Sequence, residues 1–206
     1  MQNFKHICVI GLGYIGLPTA ATFAAHGVKV TGVDVNPRAV DLINQGRVHI
    51  VEPDLDALVR DVVAQQKLSA QLQPCEADAY IVAVPTPFKD NYEPDLKYIE
   101  AAAKALAPFL KTGNLVILES TSPVGATEQM AAWLSEARSD LTFPQTHGEQ
   151  ADILIAHCPE RVLPGKVLQE LISNDRIVGG MTPRCSQAAI DLYKVFVKGD
   201  CIETNA

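Results

Sequence analysis

Three glycines and one aspartate carry the clearest chemistry in this 206-residue chain. Gly11-Leu12-Gly13-Tyr14-Ile15-Gly16 follows the apolar run His6 to Ile10 and precedes small and apolar residues as far as Ala25. In that setting the first glycine permits a tight turn and the second lets backbone approach a phosphate. The third lets a helix pack closely on a strand. The turn, with Tyr14 and Ile15 inside it, leads into a helix N-terminus whose free N–H groups and positive dipole end suit phosphates. Asp34 comes eighteen residues after Gly16, at the end of a second β-rich run, Val28 to Val33. A carboxylate there accepts from ribose hydroxyls and repels a 2′-phosphate, so the pattern predicts a dinucleotide site that takes NAD rather than NADP. The competing reading is a structural glycine turn with Asp34 as a helix cap. Arg38 is placed either over the adenosine side of the ligand or in solvent.

Two further segments stand at strand ends, where ligands of such folds lie. Pro85-Thr86-Pro87 follows one buried strand, its prolines holding an extended backbone that presents the Thr86 hydroxyl. Glu119-Ser120-Thr121-Ser122-Pro123-Val124-Gly125-Ala126-Thr127 follows the next and leads into a helix. Its hydroxyls, Thr121 and Thr127 among them, exceed what one helix cap needs, although Ser and Thr are common caps. They are read as the nicotinamide side of the groove.

The elements that must position these residues alternate between short β-rich runs and helices, the rhythm of a parallel sheet covered by helices. Strands are expected at His6–Ile10, 28–33, 79–84, 115–118, 153–157, 176–178 and 201–203. Helices are expected at 14–25, from 36, from 52 to about 64, at 95–110, from about 125 to 137, and at 183–196. Residues 139–150 read as a long polar loop. The expected fold is a single Rossmann-like, doubly wound α/β domain over 1–206, with a mostly parallel sheet and helices on both faces.

Composition narrows the partners. The hydrophobic fraction of 48% and charged fraction of 20% are ordinary for a globular protein. No apolar run approaches the ~18 residues of a membrane span. The net charge of −7, without a long basic run, argues against nucleic-acid binding. The start, Met1 to His6, shows no charged region ahead of an apolar one and so does not resemble a signal peptide. Five scattered cysteines without a Cys-x-x-Cys pair then suggest reduced thiols in the cytoplasm. The histidines show no metal-ligand spacing, and no metal is expected.

Taken together, Ile10-Gly-Leu-Gly-Tyr-Ile-Gly-Leu-Pro18, Val-Pro-Thr-Pro at 84–87, Glu-Ser-Thr at 119–121 and Cys-Pro-Glu-Arg-Val-Leu-Pro-Gly at 158–165 resemble the UDP-glucose/GDP-mannose dehydrogenase family. Ile50-Val-Glu-Pro-Asp-Leu55 and the stretch at 159–165 set the chain nearest the branch whose sugar is N-acetyl-D-mannosamine. The resemblance implies a UDP-sugar substrate and a four-electron, two-NAD oxidation of a sugar C6 alcohol to a carboxylate, through a thiohemiacetal and a thioester on an active-site cysteine. A sulfur adduct is needed because it can surrender a hydride where a free aldehyde cannot. In the family that cysteine, in a Gly-Gly-His-Cys-like motif, and a Lys and Asn on a long helix lie in a second half, which also carries the dimer contact. This sequence contains none of those motifs and has no terminal cap at Thr204-Asn205-Ala206. It is therefore expected to be the N-terminal half of a longer, dimeric or higher enzyme, inactive alone.

The resemblance also assigns roles. Glu160 matches the first glutamate of the family's Pro-Glu-Phe-Leu-Arg-Glu segment, which positions water and substrate for thioester hydrolysis. Pro164 replaces the second glutamate. Arg161 and Val162 fall where the branch contacts the nucleotide sugar, and a guanidinium independently suits phosphate recognition. The competing reading of Glu160-Arg161 is a surface ion pair. Thr121 matches a threonine near the reacting carbon. Cys158 reads as a core thiol at a strand end. Three other functions remain in play: a 6-dehydrogenase of UDP-glucose or another nucleotide sugar, a non-catalytic NAD-sensing module, which would lack a segment like 159–165, and a complete short alcohol dehydrogenase. The last needs a Tyr-x-x-x-Lys pair that the chain does not offer.

Overall fold

The computed structural model describes residues 4–206; Met1-Gln2-Asn3, part of the stretch read for a signal peptide, lies outside the described residues. The sheet begins with β1 (His6–Ile10), whose side chains alternate between two cores: Ile7 and Val9 enter one, Cys8 and Ile10 the other. A strand buried on both faces must be apolar throughout, which is why HICVI shows no polar alternation. Helix α1 (Gly16–Ala25) buries nine of its ten residues, because Ala20, Ala21 and Ala24 let it lie close to the sheet. It starts at Gly16 rather than Tyr14, since Tyr14 and Ile15 remain in the turn.

Strand β2 (Lys29–Val33) follows, then α2 (Pro37–Asn44), where the Asn36 side chain accepts from Arg38 N and Pro37 occupies the first helical position. Helix α3 (Leu55–Ala64) leads to β3 (Leu68–Gln71), an edge strand not expected from the sequence. Only Leu68 and Ala70 of its four residues are buried, too short an alternation to stand out. Strand β4 (Ala79–Val82) ends two residues earlier than expected, and α4 (Lys97–Leu106) precedes β5 (Leu115–Leu118) and α5 (Ala126–Ala137).

The stretch read as a long loop instead holds the one-turn helix α6 (Pro144–His147) and a 3-10 turn at Gly148–Gln150. Strand β6 (Leu154–His157) is followed by α7 (Val167–Ser173), also unexpected, then β7 (Arg176–Gly180), α8 (Pro183–Tyr193) and β8 (Cys201–Asn205).

The strand order is β3-β2-β1-β4-β5-β6-β7-β8. The first six are parallel, β7 runs antiparallel to β6, and β8 parallel to β7. The expected doubly wound, mostly parallel sheet with helices on both faces is thus present. Helices α1, α3, α7 and α8 cover one face; α4 and α5 cover the other. Strand order reverses between β1 and β4, so the carboxyl ends of those strands open a crevice there. No helix among the described residues is long and apolar enough to cross a membrane.

Candidate functional site

At that crevice lies a cleft of about 710 Å³, in the usual size range of small-molecule sites. Its floor is the glycine turn. Gly11 adopts φ +91°, and a Cβ there would sit 2.5 Å from the Ala83 carbonyl oxygen. A Cβ on Gly16 would lie 1.8 Å from the Gly11 oxygen, so the turn closes on itself through backbone contact alone. Gly13 is different: a Cβ there would meet nothing within 4 Å. Its bare backbone faces the open cleft, as close approach of a pyrophosphate requires.

Asp34, at the cleft rim, accepts from Leu12 N through Oδ2 and from Asn36 N through Oδ1, each at 2.9 Å. The carboxylate thus ties the end of β2 to the glycine turn. The helix after it is capped by Asn36, so the cap reading of Asp34 does not hold. Two oxygens offer about four acceptor positions, which leaves room for ribose hydroxyls.

The far wall joins the two strand-end segments. The Thr86 hydroxyl donates to the Thr121 carbonyl, and Ser120 Oγ donates to the Val84 carbonyl at 2.6 Å. Pro85, Thr86, Thr121, Glu160 and Val162 all line the same cleft as Gly11, Gly13, Tyr14, Ile15 and Asp34. Four predicted site residues lie elsewhere. Gly16 is buried under the turn, Arg38 is exposed on α2, Arg161 is exposed beyond the cleft, and Thr127 is buried in the first turn of α5.

Part of the wall was not foreseen. Leu72, Gln73 and Pro74, after β3, and Tyr98, Ala101, Ala102 and Ala105 on α4 line the β2-side mouth. The alanine cluster of α4 was the available signal, since small residues on one helix face permit a ligand to approach.

Behind the wall sits a buried charge cluster with no local signal in the sequence. Arg176, at the start of β7, is 5% exposed and stacks 4.4 Å over the Tyr193 ring. Its Nη1 lies 3.1 Å from Glu160 Oε2, 3.5 Å from Glu119 Oε1 and 3.7 Å from Cys158 Sγ. Tyr193 OH donates to Glu119 Oε1 at 3.0 Å. Glu160 therefore ion-pairs with Arg176, in the interior, and from Arg161 it accepts only the backbone N–H, at 2.7 Å, so the surface-pair reading does not hold. Cys158 lies in the core, and burial pushes its thiol up to about 11. It is neutral and shielded, unlike a nucleophilic thiolate.

Burial pushes the Glu119 carboxyl up to about 7; Arg176 opposes the shift and Glu160 adds to it. The folded state therefore binds more protons at this group than the unfolded state between the ordinary 4.5 and about 7. Its contribution to stability falls as pH rises through that window. Glu119→Gln, which does not ionise, is expected to gain on the wild type between pH 5 and pH 8 by on the order of 3 kcal/mol, at ~1.4 kcal/mol per pH unit. Urea unfolding of both proteins at the two pH values measures this; a pH-independent difference would count against the assignment.

Comparison with known proteins matches residues 5–197 to the model of the UDP-glucose/GDP-mannose dehydrogenase family, NAD binding domain. The chain belongs to the UDP-glucose/GDP-mannose dehydrogenase family. It is the NAD-binding domain of that family, and the glycine turn with Asp34 is where its residues fit the cofactor.

Among relatives, UDP-N-acetyl-D-mannosamine dehydrogenase of Campylobacter jejuni is 66% identical over all of this chain and 51% of its own length. NDP-N-acetyl-D-galactosaminuronic acid dehydrogenase of Ralstonia solanacearum is 65% identical over 99% of this chain and 48% of its own. The solved UDP-D-ManNAc dehydrogenase of Pyrococcus horikoshii superposes with a TM-score of 0.90 at 40% identity, over 98% of this chain and 47% of that one. The chain thus spans about half the length of the curated relatives it matches.

Proposed function

We propose that this chain is the cofactor-binding part of a longer nucleotide-sugar 6-dehydrogenase that oxidises UDP-N-acetyl-D-mannosamine to the uronate with two NAD. The observation that carries this is the single cleft, which joins the NAD site at Gly11, Gly13 and Asp34 to Thr121, Glu160 and Val162. A sensing module would need only the first part of that wall.

NAD supplies the hydride acceptor when bound. The chain's own residues hold and orient it: Gly13 and the α1 N-terminus receive the pyrophosphate and Asp34 the ribose. Thr86 and Thr121, linked by their hydrogen bond, flank the nicotinamide side. Glu160, backed by Arg176, and Thr121 face the reacting end and position water. Val162 and Arg161 contact the nucleotide sugar, Arg161 from outside the cleft. The catalytic cysteine and lysine, and any subunit contact, belong to the other half. Five free thiols support a cytoplasmic setting.

A second sugar has specific support, because the Ralstonia relative, named for N-acetyl-D-galactosaminuronic acid, is one percentage point less identical than the Campylobacter one. Turnover assays with both sugars on the longer enzyme decide between them. The 206-residue chain alone is expected to bind NAD at least tenfold more tightly than NADP in calorimetry, a difference of ~1.4 kcal/mol. It should turn over neither sugar. Asp34→Ala should narrow the preference. Equal affinities would sink the role of Asp34, and turnover by the chain alone would overturn the half-enzyme reading.

A further inference from the structure

The stretch Ile50-Val51-Glu52-Pro53-Asp54-Leu55, which sets the chain nearest one branch of the family, lies outside the cleft lining. Glu52 is 7% exposed, although it comes from a loop. Pro53 and the left-handed Asp54, at φ 63°, turn the chain sharply between it and α3. Glu52 Oε2 accepts from the Tyr14 hydroxyl at 2.8 Å and from Gly165 N at 2.9 Å; Oε1 accepts from Val167 N at 2.8 Å. Tyr14 belongs to the glycine turn and lines the cleft. Gly165 and Val167 close the stretch that carries Glu160, Arg161 and Val162, and Val167 opens α7. One carboxylate therefore touches both binding segments, from a third.

No cation lies within ion-pair distance of Glu52 among the described residues. Burial pushes its carboxyl up, but the Gly165 N–H, the Tyr14 hydroxyl and the Val167 N–H together outweigh this and hold it below its ordinary value. All three partners are donors, so the position requires a group that only accepts, on two oxygens. Glutamine offers one oxygen and would turn its own N–H₂ against a donor.

We propose that Glu52 is a positioning residue that holds the 160–165 stretch against the glycine turn, and that the Tyr14 hydroxyl passes cofactor occupancy through Glu52 to that stretch. The assignment of 160–162 to the nucleotide sugar rests on the function proposed above; the link between the two segments does not. Because coupling between sites is reciprocal, a turn ordered by NAD orders the stretch, and a bound sugar favours NAD.

Amide hydrogen exchange of the 206-residue chain, read by NMR, tests the link without turnover. Saturating NAD is expected to slow exchange at Gly165 and Val167 at least about fivefold, the low end of ordinary coupling between sites. Tyr14→Phe, which removes one hydroxyl and leaves the carboxylate bonded to both amides, should bind NAD to saturation yet lose most of that slowing. A clamp that only stabilises the fold would keep it. Glu52→Gln should lose the slowing entirely. In the longer enzyme it should raise KM for the nucleotide sugar about tenfold, the loss of one charge-assisted bond, with a smaller change in kcat. Unchanged exchange at Gly165 and Val167 on NAD addition to the wild type, or a full response in Tyr14→Phe, would overturn the proposal. If the exchange response is present and the longer enzyme turns over no nucleotide sugar, the link stands and the enzymatic reading fails.

Discussion

Arg176→Met is expected to destabilise the domain by about 3–5 kcal/mol, the usual result of removing one member of a buried charge pair. In a chain of this size that corresponds to a fall in melting temperature of roughly 10 °C. The large effect follows from what stays behind. Glu119 is fully buried, and Glu160 keeps only 6% of its side chain exposed. Met fills much of the space over Tyr193 and restores apolar packing, but leaves the Glu160 carboxylate without its counter-charge and removes the cation that opposes protonation of Glu119. Adding Glu119→Gln to the variant should change its stability little at neutral pH, because burial holds Glu119 protonated once Arg176 is gone. Thermal unfolding of the two variants measures both steps. An Arg176→Met protein within about 1 kcal/mol of wild type, the level of an ordinary surface change, would show that the guanidinium is not the counter-charge of the cluster.

Gly16→Ala is expected to abolish measurable NAD binding, a loss of at least a hundredfold, or about 3 kcal/mol. The added Cβ would stand 1.8 Å from the Gly11 oxygen and 3.0 Å from its carbon, with the Ala83 Cβ 3.2 Å away. No rotamer relieves a contact between Cβ and backbone, so the turn must open and Gly13 leaves its place on the cleft floor. Gly13→Ala supplies the contrast. Its Cβ meets no protein atom within 4 Å, so the fold should keep its stability while NAD binding still falls, because the methyl occupies ligand space. Calorimetry paired with thermal unfolding separates the two. A Gly16→Ala protein that binds NAD like the wild type would refute the closed-turn geometry. A Gly13→Ala protein that does so would place the pyrophosphate elsewhere.

What was legible from residue order was local. The glycine turn, Asp34, the proline-bounded Thr86 and the hydroxyl run after β5 each announce themselves within a few residues, because turns, caps and strand ends depend on neighbours along the chain. Buried strands such as His6–Ile10 and Leu115–Leu118 are legible for the same reason, as unbroken apolar runs. Short amphipathic pieces were not. Strand β3 shows two buried positions, and α7 has no capping side chain before it. Its first amide is held by Glu52, 115 residues earlier in the chain.

The residue types of this chain, read in order, settled that a βαβ unit with a tight glycine turn and an aspartate at the end of its second strand would form, and named the segments that share its strand-end face. Only tertiary packing decided which of them meet. It put Thr86 against Thr121, turned Glu160 inward to Arg176, left Arg161 and Arg38 outside the cleft, and buried Thr127. Hydrogen bonds within a turn are fixed by spacing along the backbone. The partner of a buried charge is fixed by whichever opposite charge the fold brings within reach, and neither Arg176 nor Glu52 lies near its partners in the sequence.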